Sequence, residues 1–173
     1  MRVTRTGCNR CKTYAGYVSN LSTDAKLMVE FLNTLDVEHE TDTLDNEASW
    51  HQWTAARSLV PDPLPAARSA RAALRVAVGD PPANTAPFTS PARLELGPAG
   101  AELVATSAVA EVLAAAARLT VLGEWPRLKI CPADDCRWAF YDQSRNRSRT
   151  WCSMRVCGNR EKARAWRERS AGQ

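Results

Sequence analysis

Histidine is nearly missing from this chain: only His39 and His51 occur in 173 residues. Neither lies in the cysteine-rich C-terminal segment, so a Cys-His nucleophile pair would need an unusual fold-back. No apolar run reaches the roughly 18 residues that suggest a membrane span. The best stretch, Ala108 to Leu122, is broken by Glu111 and Arg118. The opening residues, MRVTRTGCNRCKTYAG, carry no apolar segment of signal-peptide type. There is no internal repeat, and the body shows neither a phosphate loop nor a nucleophile–base pair. These absences lead us to expect a soluble, cytoplasmic protein with no membrane partner. Thiols stay reduced in that compartment, so the six cysteines favour metal or thiol chemistry over disulfides.

The net charge of +4 is unevenly placed. From Pro126 onward there are 12 Lys+Arg against 5 Asp+Glu, a net of +7. The first 125 residues carry 11 against 14, a net of −3. An acidic body with a basic tail suggests two jobs in two places, and a local positive field attracts phosphate backbones.

Residues 1–22 read as a leader without a clear period. Leu27, Met28, Phe31, Leu32 and Leu35 then fall at helical spacing behind Asp24, a plausible N-cap. Residues 36–45 are acidic and turn-like. A second helix is expected from about Asn46 to Leu59, burying Trp50, Trp53 and Leu59. PDPLP ends it, and AARSARAALRVAVGD gives a third helix stopped by Gly79. A proline-rich loop follows. ARLELGPAGAELVATS predicts a β-hairpin around Gly97-Pro98-Ala99-Gly100, and SAVAEVLAAAARLTVLGEW the strongest helix. The fold class expected is α+β, mostly α: a helical body, 23–124, with a small β hairpin, and a C-terminal module, 125–173.

The module carries C-x4-C-x15-C-x4-C at Cys131, Cys136, Cys152 and Cys157. Thiolates are soft ligands, and zinc takes four of them tetrahedrally in a structural site, which leaves no open position for catalysis. About 45 residues cannot bury much core, and bound zinc supplies on the order of 10 kcal/mol to such a module. An aromatic strand, Trp138 to Tyr141, and a helix in GNREKARAWRERS complete a treble-clef-like zinc arrangement. The helix start beside Cys157 would help to hold thiolate charge. Disulfides and a catalytic thiol are the alternatives.

The second cysteine pair ends in Cys157-Gly158-Asn159-Arg160, and Trp125 to Arg169 resembles the CGNR zinc-finger family. Upstream, FLNTLDVEHETDTL, Phe31 to Leu44, resembles the start of the ABATE domain, the helical partner usually found before such fingers. The family consists of bacterial proteins regarded as transcription regulators, often described as stress-induced. The resemblance therefore implies a structural Zn2+ finger that binds double-stranded DNA, on a body responsive to a ligand or partner.

Arginines supply the contacts expected of such a module. Arg145, Arg147 and Arg149 alternate with Asn146 and Ser148, and in an extended loop would share one side, suited to phosphates. Arg160, Arg164 and Arg167 form one stripe of the last helix, which could enter a major groove. Ala163 and Trp166 are expected to pack on the knuckle, opposite an acidic face of Glu161, Ala165 and Glu168. Asn159 and Arg160 serve either nucleic acid or the knuckle itself.

Other candidates are less specific. Cys8 and Cys11 form a lone C-x2-C, read as reduced thiols of the leader. His39 sits in an acidic run, Asp36 to Asp45, read as a solvated face. Asn33, Thr34 and Asp36 line a small-molecule effector pocket, or else Asn33 and Asp36 cap the first helix and tie down the loop behind it. The function expected is DNA-binding transcriptional regulation, with the body sensing a ligand or assembling a homodimer. An RNA-binding or ribosome-associated module is the alternative, and an enzyme with its active site in the body a second.

Overall fold

The computed structural model describes residues 21–81 and 88–171; Cys8, Cys11 and most of the leader lie outside the described residues. Five α-helices and three two-stranded antiparallel sheets are found among them. No helix of the described residues is long and apolar enough to cross a membrane.

Helix α1, Thr23–Leu32, is capped by Ser22, whose Oγ accepts the Ala25 N–H at 3.3 Å. The expected cap, Asp24, sits in the first turn and instead pairs with Arg118 at 2.7 Å. Ala25, Met28, Val29, Phe31 and Leu32 form the buried stripe. The tract after it is not merely a turn. Leu35–Asp36 (β1) pairs with Thr41–Asp42 (β2), and a short 3-10 turn leads to the N-cap Asn46.

Helix α2, Glu47–Ala55, inserts Trp50 beside Phe31 and Trp53, with ring centroids 5.4–6.2 Å apart. The Trp50 indole N–H donates to the Asp62 carbonyl at 2.9 Å, which answers its one polar group. Helix α3, Leu64–Ala77, stops before Gly79, at φ +101°, a conformation natural to glycine. Strands β3, Arg93–Gly97, and β4, Gly100–Val104, make the expected hairpin. Helix α4, Ala108–Val121, buries its alanine-rich face against α1.

Arg71 and Arg75 on α3 point inward, both buried. Arg71 forks onto Asp42 at 2.5 and 2.6 Å and donates to Thr34 Oγ1 at 3.0 Å. Burial would raise the Asp42 carboxyl, but hydrogen bonds from Arg71 and Leu44 hold it below its ordinary value. Arg75 donates to the Leu32 carbonyl and pairs with Asp80 at 2.7 Å; burial lowers its pKa while Asp80 opposes the shift.

The C-terminal segment begins as a hairpin, β5 Leu128–Ile130 and β6 Ala139–Tyr141. Strand alternation divides its side chains. Leu128, Ile130, Ala139 and Tyr141 join the body's apolar core, whereas Phe140 joins a second cluster with Cys131, Ala133, Cys136 and Cys157. This one hairpin is therefore floor to the body and roof to the cysteine cluster.

Candidate metal centre and basic surface

Two knuckles deliver the sulfurs. The first is the turn from Cys131 to Cys136, closed by Cys131 N–H donating to Trp138 O and Cys136 N–H to Ala133 O, both 2.9 Å. The second is a wide π-type turn, Met154–Gly158, capped by Ser153 Oγ, and it runs into helix α5, Asn159–Ala171. Space at Gly158 is short. A Cβ would overlap Met154 Sδ and lie 3.1 Å from Trp151 Cδ1.

The four Sγ atoms of Cys131, Cys136, Cys152 and Cys157 lie within 4.8 Å of one another. Cys136 and Cys152 are 3.5 Å apart, Cys152 and Cys157 3.6 Å. Four sulfurs about 2.3 Å from a tetrahedral zinc would stand about 3.8 Å apart. All four are free cysteines, so no pair is joined as a disulfide. The spacing also governs protonation. Cys131 is drawn well below its ordinary value by hydrogen bonds from Cys136 and Cys152. Cys152 is pushed far up, first by Cys131 and then by Cys136. Sulfurs so close hold several negative charges only around a cation, and the donor set suits a soft divalent ion.

Residues 127–170 match the family described as CGNR zinc finger. No curated protein matches the chain. The match spans both knuckles, the hairpin and nearly all of α5, so this segment is a zinc-finger domain whose four cysteines could hold a metal ion.

Within the CGNR segment the arginines divide. Arg160 Nη2 lies 3.7 Å from Cys157 Sγ and 2.9 Å from Asp135, while Nη1 is 3.8 Å from Glu38 of the β1–β2 loop. It thus spans both knuckles and the body. Asn159 Nδ2 donates to the Arg155 carbonyl at 3.3 Å, closing the π turn. The SRNRSR tract is not extended as expected: residues 144–147 form a tight turn, with Arg147 at φ +53°. Arg149 leaves the row. Its guanidinium donates to the Trp151 and Cys152 carbonyls and lies 5.1 Å from the Phe140 ring centre. Arg145 and Arg147 remain exposed.

A buried ion pair shapes that turn. Asp142 is fully buried and accepts from Lys129 Nζ at 2.7 Å, the Ser144 N–H at 2.8 Å and the Arg149 N–H at 2.8 Å. Lys129 Nζ also donates to the Arg147 and Arg149 carbonyls at 2.6 and 3.0 Å. Burial would raise Asp142, but these donors more than offset it and keep the carboxyl well below the usual carboxylate range. Sequence reading missed this pair. The available signal was one lysine on the strand partnering the strand that ends one residue before the aspartate.

Helix α5 is rotated from the expected orientation. Glu161, Arg164 and Ala165 are half-buried, with Arg164 3.3 Å from Glu161, whereas Ala163 and Trp166 face solvent, Trp166 at 64% exposure. An amphipathic pattern this polar gives no strong inner face, so packing selects it. Within residues 127–170 the exposed cations are Arg145, Arg147, Arg155, Lys162, Arg167 and Arg169, none ion-paired among the described residues.

Asn33, Thr34 and Asp36 are engaged internally. Asn33 pairs with the Ala139 backbone in both directions, Nδ2 to O at 2.9 Å and N–H to Oδ1 at 2.8 Å. Thr34 Oγ1 donates to the Phe31 carbonyl and accepts from Arg71. Asp36 accepts from the His39 N–H at 3.2 Å and meets its ring at 2.9 Å. The Asn33 side chain thereby ties β6 to the end of α1.

Proposed function

We propose that this protein is a DNA-binding regulator whose zinc-stabilised finger grips the phosphate backbone of double-stranded DNA. One observation carries the reading: six cations without an ion pair among the described residues project from a segment in which Arg127, Arg137, Arg149 and Arg160 are tied inward. Zinc held by Cys131, Cys136, Cys152 and Cys157 would tie the two knuckles together and offer no open catalytic position. Arg145 and Arg147, on the turn set by Asp142, serve as phosphate contacts. Arg155 and Arg167 lie close enough in sequence to the second knuckle to add to them. Arg149, Arg160 and Asn159 support this surface from within, and Arg164 lies between the two groups. The ABATE resemblance belongs to the same reading, because its tract supplies Asn33, Thr34 and Asp42, which hold the finger and α3 to the body. On this view the body positions the finger and brings two copies together, and an effector would act by changing that docking.

Exposed Trp166 favours a second reading, binding to structured or single-stranded RNA, since an exposed ring beside arginines is a base-stacking platform. The experiment that separates them is selection of bound fragments from random duplex DNA beside structured RNA, with intact protein and with Cys152→Ser. An enriched duplex motif lost in the variant supports DNA recognition. Enrichment only of RNA, dependent on Trp166, replaces it with the second reading.

A further inference from the structure

Among the described residues nothing pairs with the outer edge of β3 in the β3–β4 hairpin. Every residue of β3 is exposed, Leu94 at 70% and Leu96 at 86%, whereas β4 becomes half-buried from Leu103 onward. A lone two-stranded ribbon is marginal in water, and an open edge is a template for another strand. The pairing Gly97↔Gly100 across the two-residue turn fixes which backbone groups are open. Arg93, Glu95 and Gly97 aim theirs at β4, so the N–H and C=O of Leu94 and Leu96 point outward.

We infer that β3 is a homodimer seam, pairing antiparallel with β3 of a second copy about a two-fold axis at Leu94. Charge selects this register. An axis at Arg93 sets two guanidinium groups opposite each other, and an axis at Glu95 sets two carboxylates opposite each other. An axis at Leu96 places Pro98, which has no N–H, opposite Leu94. The axis at Leu94 exchanges both Leu94 backbone groups. It also sets Arg93 of each copy opposite Glu95 of the other, twice, in the closer, non-hydrogen-bonded positions. Arg93 and Glu95 lie on one face and already meet at 2.5 Å within the strand, so their partners in the second copy find complementary charge there. On β4 the outward groups belong to Ala101 and Leu103; Leu103 is half-buried, and an axis at Ala101 sets Glu102 opposite Gly100, with no opposite charge to meet. The inference stands on the hairpin alone, so a dimer without DNA affinity and DNA affinity without a dimer are distinct results.

The test is sedimentation of the full chain across a concentration series. Glu95→Arg and Arg93→Glu each oppose like charges at both sites and should weaken the dimer by roughly tenfold or more. Mixed one to one, these variants should form a heterodimer that neither forms alone. The intrastrand pair cannot produce that result, being broken in both chains. Leu94→Pro removes the outward donor while sparing the ladder to β4, and should give a monomer with unchanged circular dichroism. A wild-type monomer at every concentration overturns the inference. So does a dimer that all three variants retain, or single variants that do not complement.

Discussion

The body and the finger are stabilised by different physics. The body buries Phe31, Trp50, Leu32 and Leu119 in one apolar cluster, and its polar interior is restricted to paired groups such as Arg71 with Asp42. The finger's own cluster has five buried residues, three of them cysteines. Its remaining order comes from Asp142, Lys129 and Arg149, whose side chains bond to backbone, and from Arg160, which meets Asp135, Glu38 and Cys157. A body with a core tolerates polar change at its surface. A finger with almost none depends on a few strong, directional interactions, and its outward cations are free for another purpose.

The largest effect that would sharpen this contrast is metal removal. Chelation, or Cys157→Ser, should unfold the finger while α1, α2 and α4 keep their helicity, because on the order of 10 kcal/mol of ligation is lost from one region only. Circular dichroism with hydrogen exchange of the two regions checks it, and joint unfolding would break the comparison. Next comes Trp50→Ala, expected to cost the body about 3–5 kcal/mol by leaving a cavity beside Phe31 and Trp53. Metal stoichiometry of the folded fraction should stay unchanged.

Asp142→Asn should cost about 1–3 kcal/mol, since Lys129 loses its buried partner. Exchange should speed up at the Ser144 and Arg149 amides. The same group gives an acid dependence. Its folded pKa is depressed, so its contribution is complete above the unfolded value of about 3.9 and declines as pH falls toward the folded value. Protection at those two amides should fall with acid in the wild type and be flat in the variant. Asn33→Ala should cost about 1 kcal/mol and loosen β6 from α1 without altering metal content, read by thermal melting and exchange at Ala139. The smallest effect on stability, within about 0.5 kcal/mol, is expected for Arg145→Ala with Arg147→Ala. That pair should nevertheless lower the salt slope of DNA binding by about two. An unchanged slope would remove the loop from the proposed contact surface.

Much of this was legible. The helices α2, α3 and α4, the hairpin β3–β4 and the cysteine set follow from periodicity, turn residues and ligand spacing, all of which are local. The inward arginines were not. Nothing in the helical pattern of AARSARAALRVAVGD shows that Arg71 and Arg75 point inside, where β2 and the finger present Asp42 and the Arg137 carbonyl. The alternation of residues 145–149 is uniform, but buried Asp142 just before it binds the Ser144 and Arg149 amides, and the Trp151 and Cys152 carbonyls draw the Arg149 side chain inward. The facing of α5 was equally hidden, since its composition is polar on all sides.

Amino-acid order alone determined where the helices run, that four thiols have the spacing to meet, and that the tail is basic. These depend on residues a few positions apart. Only the tertiary structure decided which charges are outward, that Asn33 holds the finger to the body, and that Gly158 makes room for Met154 and Trp151. Each of those depends on groups brought together across the fold, where burial and hydrogen-bond supply, not local spacing, decide whether a polar side chain serves the interior or the surface.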